Sequence, residues 1–190
     1  HLLSRRQRQM CIRDRVCTVD MDKYGMEASI LRETDADIAY VMPSHQYPLG
    51  IVMPIRRRME LLAWADEKEG RYLIEDDYDS EFRYKGKPIP ALKGYDASEK
   101  VIYLGTFSKS IAPAIRMSYM VLPESLMKVY QAACRFINPT VSRVDQMILQ
   151  KFIEDGHYER HLNRMRALYK GRHDTFLNLS LIHISEPTRP

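Results

Sequence analysis

The chain has no run of about eighteen consecutive apolar residues and no apolar signal region at its N-terminus, so a membrane span or export is not expected and a cytoplasmic protein is. Cysteine is scarce. Cys11, Cys17 and Cys134 are odd in number and show no CxxC spacing, which argues against a disulfide framework or a zinc ribbon and leaves free thiols. Metal-site signatures are also lacking. The acidic run Glu75 to Asp79 has no second cluster to complete a hard-cation site, and His157 and His161, one helical turn apart, have no evident Cys or Glu partner. Gly105 to Ser110 lacks the second glycine and the length of a nucleotide-binding phosphate loop.

With 45% hydrophobic and 28% charged residues, the 190-residue chain can bury one sizeable core. Its formal charge of +4 is carried by residues 1–15, where Arg5, Arg6, Arg8, Arg13 and Arg15 stand against Asp14. That segment and residues 180–190 resemble translated sequencing-adapter DNA, so both are set aside from fold reasoning. The basic arm therefore gives no argument for nucleic-acid binding. Arg56-Arg57-Arg58 and the side formed by Arg160, Arg164, Arg166 and Lys170 are read as solvated helix surface.

Between those ends, strand and helix signals alternate. Ile38 to Met42, Arg71 to Glu75, Val101 to Leu104 and Met117 to Leu122 read as strands. Pro54 to Glu69 reads as a helix, with Pro54 suited to its first turn and Gly70 to its stop. Pro123 to Arg135 and Val141 to about Lys170 are also expected to be helical, the second made amphipathic by Val144, Met147, Ile148, Phe152 and Ile153. This order predicts an α/β fold, a mixed and mostly parallel sheet flanked by helices. Ligands in such sheets gather beyond the carboxyl ends of strands, where both Asp76 and Lys109 fall.

Lys109, in Gly105-Thr-Phe-Ser-Lys-Ser110, reads as a lysine that forms a Schiff base with an aldehyde cofactor, pyridoxal phosphate. Such a cofactor needs an acidic partner for its ring nitrogen and cationic or hydroxyl groups for its phosphate. Residues two apart in a strand share a side, so Asp76 and Tyr78 are expected to face one ligand while Asp77 turns away. Asp76 would keep the pyridine nitrogen protonated, and the Tyr78 phenol would bond the ring oxygen. Arg116 offers a fork of donors matched to phosphate, with the Thr106 and Ser108 hydroxyls beside it.

Four segments in order carry a resemblance: Met42-Pro-Ser-His-Gln-Tyr-Pro-Leu-Gly50, Ile74-Glu-Asp-Asp-Tyr-Asp-Ser-Glu-Phe-Arg-Tyr84, Gly105-Thr-Phe-Ser-Lys109 and Gly156-His-Tyr-Glu-Arg-His-Leu-Asn-Arg-Met-Arg166. Together they resemble the aminotransferase-like domain of MocR proteins, bacterial GntR-type regulators related to class I aminotransferases of pyridoxal-phosphate fold type I. The resemblance runs from about Val19 to His173. It implies an aspartate-aminotransferase-like large domain in which Lys109 is the Schiff-base lysine (the internal aldimine), Asp76 the pyridine partner, Tyr78 the ring-oxygen partner and Arg116 a phosphate ligand. It also places the His45-Gln46-Tyr47 turn near the cofactor.

By the same resemblance, residues 16–179 are an interior fragment of that large domain. A winged helix-turn-helix, the first part of the large domain and the small C-terminal domain would lie outside it. The isolated chain is then expected to bind cofactor weakly or not at all and to be inactive, with sheet edges exposed. A homodimer, an amino acid or amine ligand, and DNA bound only through a domain missing from this chain are implied for the parent. Two functions stay open: a regulator that senses the cofactor or an amino compound, or a free-standing aminotransferase using Lys109 to shuttle a proton.

Overall fold

The computed structural model describes residues 15–82 and 89–185, with side chains as far as Ser180. Arg83, Tyr84, Cys11 and most of the two set-aside ends lie outside the described residues. The chain divides into two compact units. One comprises the residues up to Glu75 with Ala91–Ile102, the other Asp76–Pro90 with the residues from Tyr103 on.

In the first unit, β1 (Met21–Asp22) and β2 (Gly25–Met26) form a short antiparallel hairpin, followed by helix α1 (Ala28–Arg32). Strand β3 (Ile38–Val41) lies parallel to β4 (Tyr72–Asp77), with Ile38 opposite Tyr72 and Val41 opposite Glu75. Alternation sends Ala39, Val41 and Leu73 into the core, while Ile38 and Tyr40 stay exposed. Helix α2 (Ile55–Asp66) starts after Pro54, and Gly70 beyond it takes a positive φ of 84° that suits glycine.

The buried stripe of α2 is Arg58, Leu61, Leu62 and Ala65, spaced i, i+3, i+4 and i+7, with Trp64 fully buried beside it. Arg58 corrects the solvated reading of the arginine triplet. Its guanidinium is buried because it bridges carbonyls, Nε donating to Met53 O at 3.1 Å and Nη2 to Pro43 O at 3.0 Å. Arg57 is mostly buried too, donating to Met26 O at 2.6 Å and to Asp22 Oδ2 at 2.8 Å. Only Arg56 behaves as expected, an exposed partner of Glu60.

The four longer strands are ordered β3-β4-β5-β6 in one mixed sheet, β5 being Val101–Thr106 and β6 Ser118–Val121. In the second unit β5 and β6 pair antiparallel, Gly105 opposite Tyr119 and Thr106 opposite Ser118. Helices α3 (Glu124–Cys134), α4 (Arg143–Glu154) and α5 (His157–Ser185) follow.

The single helix expected over Val141 to Lys170 is two. Gly156 adopts φ 68°, and the Asp155 and Gly156 amides bond back to Lys151 O and Ile153 O, which closes α4 before α5 begins. At its other end, Ser142 caps α4 by accepting from Asp145 N at 3.1 Å. The apolar positions Val144, Met147 and Ile148 of α4 are 67%, 65% and 62% exposed, so the face predicted to be buried is uncovered among the described residues. The start of α5 is anchored: Tyr158 meets Phe107 edge-on at 6.0 Å, Tyr169 meets Phe82 at 5.2 Å, and Arg166 Nε donates to Glu81 O at 2.7 Å.

Candidate functional site

Asp76, Tyr78, Thr106, Ser108, Lys109 and Arg116, assigned to the site from sequence, all belong to the second unit. At the end of β4, Asp76 and Asp77 face opposite ways, as strand geometry demands. Asp77 is buried, accepting from Ser80 N at 3.1 Å, Ser80 Oγ at 2.6 Å and Tyr103 Oη at 2.8 Å. Asp76 instead lines a cavity of about 500 Å³ with Gly105, Thr106, Ser118 and Tyr119. That volume lies within the range of about 300–1,000 Å³ usual for small-molecule sites. The Tyr119 ring lies directly over Gly105, where a Cβ would run into it.

Thr106 fixes the turn that carries the lysine. Its Oγ1 accepts from Ser108 N at 3.2 Å and donates to Met117 O at 3.3 Å, tying both ends of the loop between β5 and β6. Lys109 projects from this turn with its side chain 46% exposed. Its Nζ lies 2.6 Å from Asp79 Oδ2 and 5.5 Å from the centre of the Tyr78 ring.

The predicted residues therefore form two neighbouring sets, Asp76 with Thr106 at the cavity and Tyr78 with Lys109 at the turn, linked through the Thr106–Ser108 bond. Arg116 is exposed and does not line this cavity. It ends a short 3-10 turn (Pro113–Ile115) in the left-handed region at φ 48°, a conformation that costs a non-glycine residue about 1–2 kcal/mol and that clusters at ligand sites. The His45-Gln46-Tyr47 turn belongs to the first unit, where Gln46 N donates to Ile51 O at 2.8 Å.

Burial raises three phenols of the second unit, among them Tyr119 of the cavity lining. Burial pushes the Tyr103 hydroxyl far above its ordinary value, and its hydrogen bond to the Asp77 carboxylate adds to the shift. Burial also raises Tyr119 and Tyr158. Glu81 is raised by burial first and by the charges of Asp77 and Asp79 second.

No group of three or more acidic, histidine or cysteine side chains among the described residues is placed to hold a metal ion. His157 and His161 pack against Phe152 at 5.9 and 6.3 Å, and their Nδ1 atoms face Arg160 and Arg164 at 3.0 and 3.2 Å, so they serve the helix. No helix among the described residues is long and apolar enough to cross a membrane. Asp79, Ser118 and Tyr119 were not singled out from sequence. Tyr119 had a readable signal, an aromatic two residues into an expected strand, whereas Asp79 lies beyond the strand, where alternation no longer applies.

The model of the family Aminotransferase class I and II matches residues 13–183. The uncharacterized HTH-type transcriptional regulator YhdI of Bacillus subtilis (strain 168) is 46% identical over 162 residues, which cover 85% of this chain and 34% of that protein. The HTH-type pyridoxine biosynthesis transcriptional regulator PdxR of Corynebacterium glutamicum is 38% identical over 157 residues, covering 82% of this chain and 34% of that protein. The chain thus spans about a third of the length of either relative. Among solved structures, the kynurenine aminotransferase of Pyrococcus horikoshii, crystallised with PMP, superposes with a TM-score of 0.75 at 31% identity, over 84% of this chain and 42% of that one. The aminotransferase-like α/β fold expected from the sequence is the one observed.

Proposed function

Because this chain belongs to the aminotransferase class I and II family, we propose that it forms part of the pyridoxal-phosphate-binding, aminotransferase-like domain of a MocR-type transcriptional regulator. Lys109 is the residue that holds the cofactor covalently. The observation that carries the reading is the cavity of about 500 Å³ at the end of β4, into which Asp76 brings a carboxylate while Asp77 is turned away.

The donor set fits the group. A basic ring nitrogen needs a carboxylate, a phosphate needs hydroxyl and cationic donors, and an aldehyde needs an amine. Asp76, the Thr106 and Ser108 hydroxyls with Arg116, and Lys109 supply these in turn. When bound, pyridoxal phosphate supplies an aldehyde for exchange with amines and a ring that accepts electron density from the substrate carbon. Asp76 would keep a proton on the ring nitrogen, Tyr78 would orient the ring oxygen through its phenol, and Lys109 Nζ would take and return protons at the reacting carbon. The protein is read as a cytoplasmic homodimer that answers to an amino acid or amine and reaches DNA through a separate domain.

A free-standing aminotransferase is the second reading, and the 31% identity to the Pyrococcus enzyme is its weaker support. The regulator reading stands first because the two regulators are 46% and 38% identical over much the same segment. Titrating the full-length protein with pyridoxal phosphate separates the two. The regulator reading expects cofactor uptake to change affinity for the protein's own promoter DNA. Steady turnover of an amino acid and a keto acid, with no DNA affinity, would overturn it in favour of the enzyme.

A further inference from the structure

Lys109 is not waiting in the cavity. The lining there includes Asp76, Gly105, Thr106 and Ser118, but neither Lys109 nor Asp79. Its Nζ is held instead by Asp79 at 2.6 Å, with the Tyr78 ring 5.5 Å away on the same ammonium. Asp79 comes from the bend after β4, the carboxylate side chain only 12% exposed, and its own carbonyl accepts from Phe82 N at 3.0 Å, which closes a tight turn. Phe82 in turn packs against Tyr169 of α5, and Arg166 grips Glu81 O, so the carboxylate sits on a turn braced from the helix. A rigidly placed acceptor and a long flexible donor make a pair in which the lysine is the partner that moves.

We infer that Asp79 is a positioning residue that parks Lys109 outside the cavity in the cofactor-free protein, so that cofactor attachment requires this ion pair to break. The inference rests on the reading of Lys109 as the cofactor-bearing lysine and extends it to a residue with no assigned role. Attachment converts the lysine ammonium and the aldehyde into a protonated C=N linkage and one water, with no oxidant or reductant. The amine must travel from Asp79 to the aldehyde for this to occur. Whatever free energy the pair contributes to the protein without cofactor is therefore subtracted from cofactor binding. For a half-exposed pair that amounts to about fivefold in affinity.

The direction of the effect separates parking from a structural role. Loss of a residue that merely supports the fold weakens cofactor binding, whereas loss of a competing partner strengthens it. In the full-length protein, Asp79→Asn should take up pyridoxal phosphate about fivefold more tightly, and Asp79→Glu, which keeps the charge, should stay near the original affinity. Unchanged or weakened uptake in Asp79→Asn, with the borohydride-trapped adduct still on Lys109, overturns the parking role and leaves the cofactor reading intact. An adduct on another lysine in the unsubstituted protein overturns the cofactor reading itself.

Should Asp79→Asn fail to fold, the unsubstituted protein carries the test with pyridoxal, which lacks the phosphate. Raising salt from about 0.05 M to about 1 M shrinks the screening length to about 3 Å. Pyridoxal uptake at Lys109 should then increase, and no increase would contradict the parking role.

Discussion

Tyr103 donates its hydroxyl proton to Asp77 Oδ2 at 2.8 Å, and this bond ties β5 to the end of β4 where Asp76 turns toward the cavity. Ser80 binds the same carboxylate through N and Oγ, so one buried acceptor fixes both the strand end and the bend that follows.

Removing the phenol isolates the value of that bond. Tyr103→Phe should lose about 1 kcal/mol of stability near neutral pH, as for an ordinary hydrogen bond in which the acceptor keeps other donors. The pH dependence has a definite sign. Because the folded phenol is raised above the usual 10.0, its contribution is complete below about pH 10 and is lost as pH rises further. The gap between the two proteins in denaturant titrations should narrow above that pH; a widening gap would contradict the assignment.

Glu75 makes a larger contribution in the first unit. It is fully buried and accepts from Leu92 N at 2.7 Å and Lys93 N at 2.8 Å. Glu75→Ala strands both amides and should cost about 2–4 kcal/mol in equilibrium unfolding, with Glu75→Gln losing less because one acceptor remains. Equal losses in the two variants would show that packing, not acceptance, is what Glu75 provides.

Gly105 and Tyr119 should behave as one unit. Gly105→Ala drives a methyl into the phenol ring and is expected to destabilise by about 1–3 kcal/mol, the range for overpacking. Combining it with Tyr119→Ala should recover most of that loss relative to Tyr119→Ala alone. Strict additivity would mean that the ring does not lie over the glycine.

Glu81 is raised by burial and by the neighbouring charges of Asp77 and Asp79, so ionising it weakens the fold. Its favourable contribution is present below the usual value of 4.5 and is lost as pH climbs through the raised value. Glu81→Gln should therefore have the higher Tm at pH 7, with the advantage vanishing near pH 4. A constant advantage at both pH values would point to a cause other than charge.

Much of this architecture is legible in the sequence because period-two and turn signals are local. The four longer strands fall where apolar runs and β-branched residues place them, and the opposite facing of Asp76 and Asp77 follows from strand parity. Parity fails one step later: the strand ends at Asp77, so Asp79 swings back to meet Lys109 instead of continuing with Asp77. Arg58 was illegible because its burial depends on two carbonyls, Met53 O five residues back and Pro43 O fifteen residues back, that no periodic pattern announces. Gly156 did carry a helix stop, but the amphipathic pattern on either side of it masked the break.

Whether Lys109 carries the cofactor is read directly by borohydride reduction of the full-length protein loaded with pyridoxal phosphate, followed by peptide mass mapping. The expected result is a phosphopyridoxyl group on Lys109, and no such peptide in Lys109→Ala. A modified peptide centred on any other lysine, or the same labelling in Lys109→Ala, would contradict it.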